Sequence, residues 1–139
     1  MPLQMTPEEL QTFIAQVFPQ IKDDFVIEEL EEMRIKVRLK VRDDHLRPGG
    51  TVSGPSMFGL ADVSVYFAIM AMVGPKALAV TTSSSLDFMR KPVANADLIA
   101  ECRLLKLGKV LAVGDVLMFS DGDDQPVARA SMTYSIPQR

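Results

Sequence analysis

One apolar stretch near the middle of the chain constrains its fold more than any other feature. The segment from Gly49 to Gly74 reads GGTVSGPSMFGLADVSVYFAIMAMVG, and after Pro55 it is apolar almost without interruption to Val73. A helix with no polar face has to be covered by other parts of the protein. Pro55 suits the first turn of a helix, where its missing N–H costs no hydrogen bond. The sequence therefore predicts a buried central helix over residues 54–73.

A membrane span is the alternative for so apolar a segment. Only eleven positions separate Asp62 from Gly74, whereas a spanning helix needs about 20 apolar residues. The polar stretch from Gln4 to Gln11 also lacks the apolar core of a signal peptide. We therefore expect a core helix in a cytoplasmic protein that has no membrane partner.

The composition fits one globular domain over residues 1–139. This length is enough for a substantial core, and the 47% hydrophobic and 24% charged fractions are ordinary for such a domain. A net charge of -3 gives no electrostatic reason to expect a nucleic acid partner. Because Cys102 is the only cysteine, the chain has neither an internal disulfide nor a cysteine-rich metal site.

Hydrophobic periodicity predicts an N-terminal helix within residues 1–20 and six strands. The helix begins with the capping box Thr6-Pro7-Glu8-Glu9. Short turns between most strands indicate consecutive hairpins, and a fully apolar helix indicates that the antiparallel sheet curls around it. The predicted fold class is therefore α+β. The strand segments are 25–31, 33–42, 78–90, 98–107, 110–119 and 127–136.

The second predicted strand has one wholly basic face. Basic residues alternate with apolar ones from Met33 to Arg42, and four glutamates lie between Glu28 and Glu32. These glutamates could offset the basic face across a hairpin, or the face could attract phosphate groups. We favour the hairpin interpretation, because basic strand faces are common on solvated sheets.

Asp62 is the only residue on the central helix that is charged at neutral pH. A buried carboxylate is costly to ionise unless it is paired or functional. It could simply cap a backbone donor. However, the N–H of Gly54 at the helix start can polarise an oxygen that gains negative charge, and Thr81 and Thr82 supply hydroxyl groups. Together these groups could direct water at a thioester, whose leaving thiol has a pKa near ~8.5.

The spacing of Gly54 and Asp62 adds a geometric condition. Eight residues along a helix correspond to about 12 Å, so both groups of one chain cannot contact the same carbonyl. If they cooperate, Asp62 of one subunit has to face Gly54 of another. A partner would also cover the parts of the helix that the short strands leave open, and homodimers are the commonest solution.

Other catalytic and metal-binding arrangements find little support. His45 is the only histidine and lies beside Asp43 and Asp44, so a zinc site or a Ser-His-Asp triad is not expected. The glycines from Gly49 to Gly54 lack the ending of a phosphate-binding loop. We expect His45 to be a solvated loop residue and Cys102 to be a small packed side chain. No metal or cofactor is predicted.

Three short motifs give the chain a resemblance to a known family. They are Ser53-Gly54-Pro55, Leu60-Ala61-Asp62 and Asp87-Phe88-Met89-Arg90-Lys91-Pro92. From about residue 25 to its C-terminus the chain resembles the hotdog-fold acyl-CoA thioesterases of the phenylacetyl-CoA thioesterase type. The resemblance implies a hotdog fold, in which an antiparallel sheet wraps around one long central helix.

The resemblance also implies roles for individual residues. Asp62 corresponds to the family's base or nucleophile, and Gly54 to the residue whose N–H reaches the thioester oxygen from the partner subunit. The hydroxyl that positions the water falls near Thr81, with Thr82 as the alternative. The family's usual His-Gly-Gly is replaced here by Ser53-Gly54-Pro55. Relatives often carry an asparagine near the position of Arg47 or Pro48.

Substrate contacts can be predicted on both sides of the thioester. Arg90 and Lys91, with Lys106 and Lys109 nearby, could meet the phosphates of coenzyme A, although basic residues at strand ends are often only solvated. Apolar side chains near the helix could form the acyl chamber or belong only to the core. The predicted substrate-binding residues are Ser53, Pro55, Met57, Phe58, Tyr66, Phe88, Arg90 and Lys91.

These observations predict a homodimer, with a dimer of dimers as the larger assembly. It is expected to hydrolyse small or medium acyl-CoA thioesters to the free acid and CoA. Asp62 would activate water or attack the carbonyl directly.

The main alternative is a non-catalytic hotdog protein that binds or senses acyl-CoA, since the His-Gly-Gly motif is missing. An enoyl-CoA hydratase fits less well, because those enzymes pair an acid with histidine. A purely structural dimer would have no affinity for acyl-CoA.

Overall fold

A computed structural model describes residues 2–75 and 78–138. Met1 and Arg139, which the predicted domain includes, and Lys76 and Ala77 lie outside the described residues. The two helices are α1 (Pro7–Val17) and α2 (Gly54–Val73), and two single 3-10 turns cover Pro19–Ile21 and Asp43–His45. The strands are β1 (Phe25–Glu31), β2 (Arg34–Leu39), β3 (Val80–Phe88), β4 (Leu98–Leu107), β5 (Leu111–Ser120) and β6 (Pro126–Ser135).

Helix α1 is shorter than the predicted range of 1–20. It begins at Pro7 because the Thr6 hydroxyl accepts the N–H of Glu9, and the Glu9 carboxylate accepts the N–H of Thr6. It ends at Val17 because Pro19 disfavours helical geometry at the residue before it. The chain then makes the 3-10 turn and enters β1.

Helix α2 has the predicted bounds and forms the centre of the fold. Its length and composition would also suit a membrane span, but 72% of its most apolar window is buried inside the protein. The sheet approaches it closely at Gly114, where an added Cβ would lie 2.8 Å from the side chain of Val65. The prediction of a buried core helix is confirmed.

All six strands form one antiparallel sheet in the order β1-β2-β4-β5-β6-β3. The predicted antiparallel sheet packed on one long helix is therefore confirmed. The prediction of consecutive hairpins is wrong at β3, which pairs with β6 and not with β4. Residues 89–97 connect β3 to β4 across the sheet, so β1 and β3 are its two edges.

The basic face of β2 is neutralised by the strand beside it. Lys36 lies 3.2 Å from the Glu29 carboxylate, and Arg38 lies 3.2 Å from that of Glu28. The hairpin between β1 and β2 turns at Met33, which has a positive φ of 63°. The hairpin interpretation of the basic strand face is confirmed.

Candidate active site

Asp62 lies near the middle of α2 and is only half-buried. Its Oδ1 atom accepts a hydrogen bond from the Tyr134 hydroxyl at 2.8 Å and another from the Thr81 hydroxyl. Within residues 2–75 and 78–138, Asp62 forms no ion pair, and its Oδ2 atom accepts no hydrogen bond. The carboxylate is therefore oriented by hydroxyl groups while one oxygen remains free to react.

The register of the sheet decides which of the two predicted threonines reaches Asp62. Thr81 on β3 lies directly opposite Tyr134 on β6, and a bulge follows between Thr81 and Ser83. Thr82 is the extra residue in this bulge, and its hydroxyl donates outward to the carbonyl of Thr133 at 3.3 Å. Thr81 is therefore the hydroxyl beside Asp62, whereas Thr82 is exposed.

A cavity of about 450 Å³ opens next to this carboxylate. The Phe18 ring meets the Tyr66 ring edge-on with centroids 6.3 Å apart, and the Tyr66 and Tyr134 rings are 6.2 Å apart. The cavity lining is thus mixed: aromatic and aliphatic side chains lie beside polar groups that include Asp62 and Thr81. Its lining residues are Val17, Phe18, Gln20, Asp62, Val63, Tyr66, Ala79, Val80, Thr81 and Tyr134.

Sequence reasoning missed part of this lining. The wall from Val17 to Gln20 comes from the end of α1 and the turn after it, which were interpreted only as a short amphipathic helix. Tyr134 was not singled out, although it is one of only two tyrosines in the chain. Its place in an alternating strand gave no sign that its hydroxyl meets the helix.

The start of α2 leaves a single unsatisfied backbone donor in its first turn. The Ser53 hydroxyl accepts the N–H of Ser56, and the Ser53 carbonyl accepts the N–H of Met57. Pro55 has no N–H. The N–H of Gly54 therefore remains without an acceptor among the described residues, at the positive end of the helix dipole.

The side chains predicted to form the acyl chamber have different surroundings. Tyr66 lines the cavity beside Asp62. Met57 is 5% exposed and belongs to the core, whereas Phe58 is 37% exposed. The Phe88 ring covers Gly54, since a Cβ added to Gly54 would lie 3.4 Å from it. Within one chain, only Tyr66 of these four side chains borders the cavity.

The predicted phosphate-binding residues lie beyond the end of β3. Arg90 is exposed, and its guanidinium donates a hydrogen bond to the carbonyl of Pro126 at 3.0 Å. Lys91 is also exposed. Their contact with coenzyme A stays a prediction, and so do the substrate contacts of Ser53 and Pro55.

His45 differs from the sequence-based expectation. Its side chain is only 12% exposed, and its Nδ1 atom accepts the N–H of Arg42 at 2.9 Å, which stabilises the 3-10 turn. The prediction that it is a solvated loop residue is therefore wrong. Cys102 is 3% exposed, as predicted for a packed side chain, and burial raises its thiol pKa to about 12.

A second cleft of about 420 Å³ lies on the outer face of the sheet. It is lined mainly by charged residues of β1, β2, β4 and β5, including the paired Lys36 and Glu29. In this cleft, cations lie beside the carboxylates, and α2 contributes none of the lining residues. The cavity beside Asp62 is therefore the better candidate for acyl chemistry.

Comparison with known proteins gives a consistent result. A family model described as the thioesterase superfamily matches residues 49–127. A proposed thioesterase from Silicibacter sp. TM1040 has a solved structure that is 58% identical, with a TM-score of 0.93. The match covers 99% of this chain and 95% of that chain. Comparison with curated proteins gave no match.

Two more distant solved structures show the same fold. A mutant of the phenylacetic acid degradation protein PaaI from Thermus thermophilus is 26% identical, with a TM-score of 0.72, over 86% of this chain and 99% of that chain. The protein smu.793 from Streptococcus mutans UA159, bound to acetyl-CoA, is 23% identical, with a TM-score of 0.71, over 83% and 90%. The predicted hotdog fold is confirmed.

Proposed function

Because the chain belongs to the thioesterase superfamily, we propose that it hydrolyses small or medium acyl-CoA thioesters at the Asp62 cavity. The observation that carries the proposal is a half-buried carboxylate held by two hydroxyl groups beside a cavity that is lined by both aromatic and polar side chains. The predicted class of enzyme, a thioesterase, is confirmed. The acyl-CoA substrate and the roles of individual residues form the proposal.

Asp62 acts as the general base in this mechanism. Its Oδ2 atom takes a proton from water while the water oxygen adds to the thioester carbonyl. The tetrahedral intermediate then breaks its carbon–sulfur bond, and the departing thiolate recovers the proton from Asp62. The products are the free acid and CoA. Because the leaving thiol has a pKa near ~8.5, a carboxylic acid is a sufficient proton donor.

Gly54 of the partner subunit stabilises the oxygen that gains charge. Its N–H is the donor that the first turn of α2 leaves unused. A backbone N–H aimed at a developing oxyanion lowers the barrier without any reorganisation of the site. Within one chain Gly54 is about 12 Å from Asp62 along the helix, so a complete site requires two subunits.

The outer edge of β3 is the surface that we propose for this association. As an edge strand it presents backbone groups without strand partners. Several large apolar side chains are exposed along the strand and beside it, and Phe88 among them covers Gly54. Pairing two such edges would bury these side chains and bring two α2 helices together. They are Leu78, Val80, Phe88, Met89 and Val93.

The cavity volume suits the acyl group of a small or medium substrate. Cavities of this size commonly enclose small ligands, and the aromatic rings of Phe18 and Tyr66 offer an apolar lining. Coenzyme A would extend outward past β3, where Arg90 and Lys91 are exposed. The acetyl-CoA bound to the Streptococcus mutans protein supports this choice of thioester.

The proposal is tested by incubating the purified protein with acetyl-, hexanoyl-, phenylacetyl- and dodecanoyl-CoA in the presence of a thiol reagent. A thioesterase releases thiol catalytically, with the highest kcat/KM on the small or medium members. Cys102 adds little background, because it is 3% exposed and its thiol pKa is raised to about 12.

A second measurement separates catalysis from binding. Isothermal titration with a non-hydrolysable acyl-CoA thioether reports affinity without turnover. Binding without thiol release on any substrate would favour a non-catalytic protein that binds or senses acyl-CoA. The absence of the His-Gly-Gly motif is the reason to consider that alternative. Sedimentation tests the assembly, and a species of one 15.3 kDa chain at working concentration would contradict the shared site.

A further inference from the structure

Tyr134 is a buried tyrosine whose hydroxyl is directed at the reactive carboxylate. It is 3% exposed and lies on the face of β6 that is turned toward α2. The hydroxyl donates to Oδ1 of Asp62 at 2.8 Å and also lies 3.1 Å from the Asp62 main-chain carbonyl oxygen. A purely packing role would not require a polar atom at this position, since phenylalanine would fill the same space.

The tyrosine reaches the helix through the register of three strands. Tyr134 lies opposite Ala112 on β5 and opposite Thr81 on β3. Residues that are paired directly across two strands have their side chains on the same face of the sheet. Thr81 and Tyr134 therefore both face α2, and the neighbour of Tyr134 on β5 is the small Ala112. Both hydroxyls converge on the same oxygen of Asp62.

The tyrosine is a permanent donor in this position. Burial, followed by the nearby charge of Asp62, raises its pKa well above the ordinary value of 10.0. It therefore keeps its proton throughout the pH range in which an enzyme works. A neutral hydroxyl next to a carboxylate donates its hydrogen bond to the carboxylate oxygen.

We propose that Tyr134 is a positioning residue that, together with Thr81, occupies Oδ1 of Asp62 and leaves Oδ2 as the only oxygen able to take the proton from water. This inference rests on the proposed function and adds a residue to it. With Oδ1 held by two donors, the carboxylate cannot rotate freely. The Thr81 oxygen, having donated its proton, can still accept a hydrogen bond from the same water.

The test compares Tyr134→Phe with the wild-type protein on the best acyl-CoA. The variant keeps the ring and loses only the hydroxyl. A hydrogen bond to a charged group corresponds to a loss of about tenfold to a hundredfold. This loss should fall on kcat, with KM changed less than about twofold, because the bond orients the base and does not hold the substrate.

The second donor to Oδ1 supplies a readout that a packing role would not move. Thr81→Val removes this donor, so it should also lower kcat while KM changes less than about twofold. The double variant should lose less activity than the product of the two single losses, because both residues act through one oxygen.

Ser131→Ala is the matched control, since it removes an exposed hydroxyl from the same strand. It should leave kcat, KM and the thermal midpoint unchanged. If Tyr134→Phe shows the wild-type kcat and KM while Asp62→Asn is inactive, the inference fails and the proposed function stands. If Asp62→Asn is also fully active, the proposed function itself fails.

A spectroscopic measurement covers the case in which Tyr134→Phe does not fold. The chain has two tyrosines, so labelling with 3-fluorotyrosine gives two ¹⁹F signals, and comparison with Tyr66→Phe assigns them. Asp62→Asn should shift the Tyr134 signal, because it removes the charge that the hydroxyl faces. An unchanged Tyr134 signal would overturn the inference.

Discussion

Two groups of carboxylates in this protein have very different partners. In the Arg38 cluster, the guanidinium of Arg38 binds Glu28, Asp97 and Asp121 at 2.8 to 3.2 Å. In the Asp62 site, the carboxylate accepts hydrogen bonds from only two neutral hydroxyls among the described residues, and it lies beside a cavity. The first group joins β1 and β2 to the start of β4 and the end of β5, whereas the second joins α2 to the two strands at the other side of the sheet.

The difference separates structural acids from the acid that we propose as the base. A carboxylate bound to a guanidinium is neutralised and held, and removal of its partner costs stability. A carboxylate held only by hydroxyl groups is oriented but keeps its full charge, which a base needs in order to accept a proton. We therefore expect substitutions in the two groups to affect different properties of the protein.

The largest effect is expected for Asp62→Asn. The amide keeps the shape and an oxygen that can accept the Tyr134 and Thr81 hydroxyls, but it is not a base. Hydrolysis should fall by about a thousandfold, in the range that general bases contribute, while the free energy of unfolding changes by less than about 1 kcal/mol. Steady-state kinetics and urea unfolding measure the two quantities. A folded Asp62→Asn variant with wild-type activity would show that Asp62 is not the base and would contradict the functional difference between the Asp62 site and the Arg38 cluster.

Arg38→Met should give the opposite result. Methionine replaces the aliphatic part of a side chain that is 23% exposed, and three carboxylates lose their shared cation. We expect a loss of about 2 kcal/mol in the free energy of unfolding and no change in kcat/KM. Arg129→Met is the matched control, because Arg129 and Asp87 are 65% and 55% exposed, and it should cost less than about 1 kcal/mol. Equal losses in the two variants would contradict a special role for the Arg38 cluster.

The smallest expected effect is a pH dependence of the unfolding free energy that is lost in Arg38→Met. The hydrogen bond from Arg38 holds the pKa of Asp121 below its ordinary value of 3.8. A depressed folded-state pKa contributes stability that is present above 3.8 and is lost as the pH falls through the folded-state value. The difference in unfolding free energy between wild type and Arg38→Met should therefore narrow below about pH 4. If this difference in unfolding free energy stayed constant down to about pH 2, the result would contradict the proposed link between Arg38 and the lowered pKa of Asp121.

The parts of the fold that were predictable from sequence are those with a local signal. The unbroken apolar run predicts α2 with its observed bounds, and the capping box at Thr6 predicts where α1 begins. Asp62 was identifiable because it is the only residue on that helix that is charged at neutral pH. Thr81 and Thr82 could not be separated, because a bulge changes which side chain faces inward and leaves no mark in the alternation.

The errors share a cause, which is contact between distant parts of the chain. The hairpin pattern gave no reason to place β3 at the far edge, beside β6. Tyr134 and Thr81 are more than fifty residues apart in the sequence, and the pairing of β3 with β6 brings them together. His45 also looked like an ordinary loop residue, although its imidazole accepts a backbone N–H and lies near Asp24.

The sequence by itself determined that a long apolar helix carries one carboxylate and begins with a glycine, and these features alone specify a core helix and single out Asp62 as the candidate base. Only the tertiary structure decided which hydroxyls orient that carboxylate and which residues of the N-terminal segment enclose the cavity beside it. The physical reason is that helix burial and capping depend on residues a few positions apart. Strand order and register instead depend on how the whole sheet closes around the helix, so the partners of Asp62 come from strands 19 and 72 residues further along the chain.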